Sequence, residues 1–364
     1  MARLRQLLLF VVWVLPSCAN ADMPEPVHEG KPLHEWIADL RYPNPGVRLG
    51  AALALQDMGP KAKPAVPQLI EALQDEDERV RSCVFSALGA IGPEAKAAVP
   101  SLAAMLPDKK WGIDAGRALG EIGQPALPAL LDALKEENDE VSLHAIGGLG
   151  KMGPKAKAAV VPLMAKLTDS NVSMRYISAR VLGKIGPEAR AAEKPLQPLL
   201  KDKDPHVRIA ATFALGRINS EYTPTAVADL IAVLKDKKSK VHALAASALG
   251  DLGPAAKAGV PALIALLNDE QTDQVDRHFV LSALGRIGPA AKTAVPDLIV
   301  LLKRDDSVLA LFAAETLGQI GPEAKSAVPT LRAMLNSQDP IISEQAAKAL
   351  RKIDPATVRR DSIP

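Results

Sequence analysis

The sequence predicts an all-α solenoid of about ten helical hairpins, and three observations carry that prediction. A turn residue, usually Gly, recurs from Gly59 to Asp354 at spacings of 30 to 35 residues; a Leu stands four residues before it each time; and Pro follows it in most units. A period of this size marks a stack of one supersecondary unit, each burying its apolar face against the next. Such an array is exempt from the usual limit on domain size, because every unit meets only its neighbours.

In chain order, residues 1–21 read as an export signal. A basic Met1 to Gln6 precedes an apolar Leu7 to Leu15, then Pro16 and small residues. Two processing routes fit. Ala19-Asn20-Ala21 offers cleavage before Asp22, whereas Leu15-Pro16-Ser17-Cys18 is similar to a bacterial lipoprotein box with Cys18 as the lipidated residue. Either route puts the mature chain outside the cytoplasm, in the periplasm or secreted. Any contact with a membrane would then run through the lipid. Residues 22–32 hold Pro24, Pro26, Gly30 and Pro32 and are expected to be an irregular lead-in. The array occupies 33–354, and 355–364 is a polar tail.

The turn residues are Gly59, Gly92, Gly123, Gly153, Gly186, Asn219, Gly253, Gly288, Gly321 and Asp354. Leu55, Leu88, Leu119, Leu149, Leu182, Leu215, Leu249, Leu284, Leu317 and Leu350 precede them by four. With an apolar residue one before the turn and Ala commonly eight before it, these positions share one helical face that must be buried as the stacking seam. Eight units carry Gly three before the turn, from Gly89 to Gly318. Glycine inside a helix costs up to ~1 kcal/mol relative to Ala, so close approach by the neighbouring backbone is the expected reason. The turn Gly suits a left-handed C-cap, the Pro after it stops the helix, and a second Pro such as Pro67 or Pro100 opens the next helix.

Pro67, with Asp75 eight residues on and Val80-Arg81 thirteen and fourteen on, resembles the signature of HEAT repeats, in the short-period branch similar to phycobilisome lyases. Trp111-Gly112, Val141-Ser142 and Asn219-Ser220 depart from it, and tetratricopeptide or ankyrin patterns do not recur. The resemblance covers residues 33–354. It implies antiparallel helix pairs in a right-handed superhelix whose second helices line the concave side. It also implies that Arg48, Arg81, Arg175, Arg208 and Arg277 pair with acidic turn residues rather than with a ligand. With layers about 8–10 Å apart, ten units make a curved rod on the order of 90 Å along its contour.

Composition narrows the function. Aromatics are 3% of residues against 48% hydrophobic, so the interior is Ala, Leu, Val and Ile, and large aromatic-lined pockets are not expected. Arg3 and Arg5 are the only charges before Asp22, and residues 22–364 carry 42 basic and 42 acidic side chains. That balance argues against nucleic acid as a partner, which weakens a HEAT-like DNA glycosylase. Without Cys18 the single thiol is Cys83, set among apolar residues as a small hydrophobe. No Gly-rich phosphate loop, Cys-x-x-Cys pair or catalytic triad spacing is present. Deoxyhypusine hydroxylase, a HEAT-like di-iron enzyme, carries repeated His-Glu metal ligands. Here the His-Glu pairs are His28-Glu29 and His34-Glu35, outside the repeated position. No cofactor or metal is expected.

The expected role is a non-catalytic, monomeric scaffold for protein partners, with an enzyme accessory of the bilin-lyase-like or hydroxylase-like lineage as the alternative. The contact surface is expected on the concave side of units three to eight, at Trp111, Arg117, Lys151, Tyr176, Arg180, Lys184, Arg217 and Arg286. Two edges of the rod are expected to differ in charge. Turns such as Asp75-Glu76-Asp77-Glu78 make one acidic, and bases four past the turn residue, including Lys63, Lys157 and Lys292, make the other basic.

Overall fold

A computed structural model describes residues 25–304 and 306–355. The export signal, Cys18 and the tail beyond Pro355 lie outside the described residues. Ten helix pairs succeed one another: α1 and α2 (Leu33–Asp39, Pro45–Met58), α3 and α4 (Val66–Ala72, Glu78–Ile91), α5 and α6 (Val99–Ala104, Gly112–Ile122), α7 and α8 (Leu127–Ala133, Asp139–Met152), and α9 and α10 (Val160–Ala165, Val172–Ile185). The second half continues with α11 and α12 (Glu193–Leu196, Pro205–Ile218), α13 and α14 (Thr223–Lys235, His242–Leu252), α15 and α16 (Val260–Asn268, Gln274–Ile287), α17 and α18 (Val295–Leu301, Ser307–Ile320), and α19 and α20 (Val328–Met334, Pro340–Ile353). Among the described residues no helix is long and apolar enough to cross a membrane.

The ten periodic leucines are at most 1% exposed, so each second helix turns that face into the stack. The turn between units is tighter than an ordinary left-handed cap. Gly92 has φ 68 and ψ −139, and Gly186 has φ 74 and ψ −140, a region open to glycine alone. From there the chain runs through a seven-residue 3-10 segment such as Gly92–Ala98, whose Ala95 and Ala98 are fully buried. Asn219 cannot take that path. It sits at φ −124 and ψ 112, no 3-10 segment comes after it, and α13 begins directly and runs for 13 residues.

The turns inside units explain the acidic edge. Asn44, Asp77, Asn138, Asn171, Asp204, Asp273, Asp306 and Asp339 each accept a backbone N–H at the start of a second helix. These are N-caps, which satisfy otherwise orphaned donors. The two second helices without one, α6 and α14, are also the two short ones, at 11 residues. On the other edge, Lys63 meets Glu94 at 2.5 Å, Lys157 meets Glu188 at 2.5 Å and Lys292 meets Glu323 at 3.5 Å. Each pair joins one turn to the next, so that edge is partly neutralised.

The recurrent arginines are built into the stack. Arg48 donates to both carboxylate oxygens of Asp75 in the next unit, at 2.7 and 2.9 Å, and to the carbonyls of Tyr42 and Pro43 in its own turn. Arg175 repeats the arrangement with Asp202 at 2.9 and 3.1 Å. Arg208 and Arg277 keep only the bonds to their own turn carbonyls.

The lead-in expected to be irregular holds a small β-hairpin, β1 (Val27–His28) against β2 (Lys31–Pro32). Glu29 and Gly30 both have positive φ, as a two-residue hairpin turn requires. Trp36 lies under this hairpin, donating its indole N–H to the His28 carbonyl at 3.3 Å with the Lys31 ammonium over its ring. The hairpin thus covers the open end of the first unit.

The buried apolar side chains fall into two clusters, one running from Leu33 to Ile218 and the other from Ile209 to Ile353. Helix α12 belongs to both, giving Val207, Ala211 and Leu215 to the first and Ile209 and Phe213 to the second.

Candidate partner-binding face

Second helices of successive units approach one another closely at glycines. A Cβ placed on Gly120 would fall 2.9 Å from the carbonyl carbon of Gly148, and one on Gly183 would fall 2.8 Å from the Ala214 Cα. Both are inside contact distance for real side chains, so these positions require glycine. At Gly89 and Gly285 the nearest atoms belong to the side chains of Glu121 and Gln319 instead.

On the exposed flank of these helices, residues two units apart meet. Arg180 of α10 lies 3.8 Å from Asp251 of α14, reaching past α12. The second helices thus line this charged face, the side that the HEAT resemblance makes concave. Asp251 also takes the guanidinium of Arg286 from α16, which in turn donates to the Ser247 carbonyl at 3.2 Å. Arg180 is steadied from its own helix, donating to the Tyr176 hydroxyl at 2.8 Å. A crevice of about 10 Å³, room for one water at most, lies beside this pair among Tyr176, Ile209, Phe213, Leu244 and Ala248.

Lys184 stands one turn beyond Arg180, half-buried. Its ammonium is pushed below the usual lysine range first by burial and then by the nearby charges of Arg180, Lys151 and Arg286; Asp251 acts in the opposite direction. Lys151 reaches Glu121 at 3.8 Å. Four cations therefore gather near two carboxylates, with Asp251 shared by Arg180 and Arg286 and Glu121 facing Lys151. Burial of unbalanced like charge is unfavourable, and an arriving anion would relieve it.

The sequence-predicted residues divide accordingly. Lys151, Tyr176, Arg180, Lys184 and Arg286 come together. Arg117 stays apart, donating to Asp114 at 2.6 Å on its own helix. Arg217 is exposed but lines a separate groove of about 350 Å³ at the turn edge, with Arg190 and Asn219. Trp111 is corrected: it is 9% exposed and stacks on Phe85 at 5.7 Å between ring centroids, with Arg81 4.8 Å above its ring. It fills the space left by the shortened α6 and offers no surface to a partner. Asp251, the centre of the cluster, was not among the residues expected at the contact surface. Its signal was an acid at the position held by Lys or Arg in the neighbouring units. No group of three or more His, Cys, Asp or Glu placed to hold a metal ion occurs among the described residues.

This geometry defines an α-solenoid with a charged inner face. The chain belongs to the HEAT-repeat family: HEAT repeats match residues 33–115, 160–250 and 295–360, and a PBS lyase HEAT-like repeat matches 113–136. No curated protein matches the chain. Among solved structures it is similar to an engineered protein at 24% identity, with 88% of this chain and 98% of that one covered and a TM-score of 0.38. It is similar to the complex of CpcE and CpcF of phycocyanin lyase from Nostoc sp. PCC7120 at 20% identity, covering 83% and 98%, with a TM-score of 0.42. Similarity to Kap121p runs at 15% identity over 91% of this chain and 46% of that one, with a TM-score of 0.47. This chain thus spans about half of Kap121p.

Proposed function

We propose that the protein is an exported, non-catalytic scaffold that holds a protein partner along the concave side of units three to eight. The observation that carries this reading is the gathering of Arg180, Lys184 and Arg286 around Asp251 on the inner face, with Lys151 and its partner Glu121 beside them. Charged residues on the inside of a curved stack have no part in burying the core. Their side chains confront whatever enters the curve. The basic amino-terminal stretch and apolar Leu7 to Leu15 support export. A narrower form, an accessory that presents a substrate protein to a separate enzyme, is favoured by the PBS lyase HEAT-like match at 113–136.

The test is capture from the cell envelope with the wild-type chain and with Lys151→Glu, Lys184→Glu and Arg286→Glu combined. A defined protein retained by the first and lost from the second, with helical content equal in both, is the expected result. Capture indifferent to the triple reversal would overturn the inner face as the contact surface. Fractionation that places the protein in the cytoplasm would overturn export.

A further inference from the structure

We propose that the inner face of units four to eight contains a carboxylate-binding site, centred on Lys184, that takes an acidic peptide segment. The proposal rests on the scaffold reading and narrows it to one partner chemistry.

Three observations lead to it. First, the cations there are unequally satisfied. Arg286 and Arg180 share Asp251, and Lys151 faces Glu121, but Lys184 makes no hydrogen bond or ion pair with any described residue. A half-buried ammonium without a partner leaves three donors to be filled from outside. Second, the internal counter-charge is insufficient. One central carboxylate serves Arg180 and Arg286 from different units, so the potential beside Lys184 stays positive and an entering anion replaces lost hydration with charge-assisted hydrogen bonds. Third, the cationic track is broken: Asp251 and Glu121 interrupt it, which disfavours a continuous nucleic acid backbone and suits the spaced carboxylates of a peptide.

The site is tested with the full chain and a fluorescein-labelled twelve-residue peptide of repeating Asp-Glu-Gly-Leu, by anisotropy at low salt. Its Asn-Gln-Gly-Leu counterpart and a single-stranded oligonucleotide serve as comparisons. Binding of the acidic peptide is expected to exceed that of the amide peptide by about tenfold or more, and to fall about tenfold in Lys184→Gln. Asp251→Asn, which removes the competing internal carboxylate, is expected to tighten it. Those opposite signs separate recognition from a structural effect, since a general loosening of the stack would weaken binding in both variants. The site is overturned if the acidic peptide does not bind, if Lys184→Gln leaves affinity unchanged, if Asp251→Asn weakens it, or if the oligonucleotide binds better. Partner capture that depends on the inner face but not on Lys184 would sink this site while leaving the scaffold reading in place.

Discussion

Arg180 and Asp251 are 71 positions apart and belong to units that do not adjoin, yet their side chains lie 3.8 Å apart across α12. In a stack of helices about 8–10 Å apart, alternate layers are separated by roughly twice that distance. The long Arg180 side chain spans that gap past α12. The contact occurs where the Gly-Pro turn is replaced by Asn219-Ser220.

Both groups of that pair are partly open to solvent, so its contribution to stability is small. A double-mutant cycle on Arg180→Ala and Asp251→Ala, read by urea unfolding, is expected to give a coupling of about 0.5–1 kcal/mol. A coupling above about 2 kcal/mol would mean that the pair is a principal tie between units five and seven.

Glycine substitutions separate helix propensity from packing. Gly147 of α8 has nothing within 4 Å of a built Cβ, so Gly147→Ala is expected to stabilise by about 0.5–1 kcal/mol. Gly120→Ala, on the seam against Gly148, is expected to destabilise by more than about 1 kcal/mol despite the same gain in propensity. Denaturant midpoints of the two variants, moving in opposite directions, are the check.

Leu182 is fully buried between neighbouring units. Leu182→Ala is expected to cost about 2–5 kcal/mol, with amide exchange accelerated in α8 and α12 as well as in α10. A loss below about half a kcal/mol would place this leucine outside the seam.

Acid should weaken the stack through its arginine–aspartate ties. The Arg175 guanidinium holds the Asp202 carboxylate below the usual carboxylate range, and Arg79 holds Asp77 down to about 2. A folded-state value below the unfolded one stabilises the fold at pH values above the unfolded value of about 4. That contribution disappears as pH falls through the folded value. Urea midpoints are expected to drop between about pH 4 and pH 2, and Asp202→Asn is expected to flatten part of the drop.

The repeat was legible because burial imposes a period. Leu88, Leu182 and Leu284 mark a face that no solvent-exposed helix would keep, and the acidic turns contain the side chains that cap the helices after them. Two things were hidden. The conformation of Gly92 and its equivalents depends on ψ, which a glycine in the sequence leaves open, so an ordinary left-handed cap was expected where a glycine-only geometry stands. The broken pattern around Trp111 left two readings, an exposed anchor for a partner and an indole packed into the shortened turn, and the structure gives the second. The break shortens α6 and makes a hole beside Phe85 that the indole fills. The meeting of Arg180 with Asp251 could not be read from spacing at all, since it depends on how three successive units stack.

The double allegiance of α12 also bears on how the molecule comes apart. Units one to five and seven to ten each possess an interior of their own, and the helix common to both contributes two residues, Ile209 and Phe213, to the second. Nearest-neighbour cohesion is thinnest there. Heating should release the chain in two steps rather than one, and tension applied to its ends should part it first beside α12, leaving a pair of half-length springs.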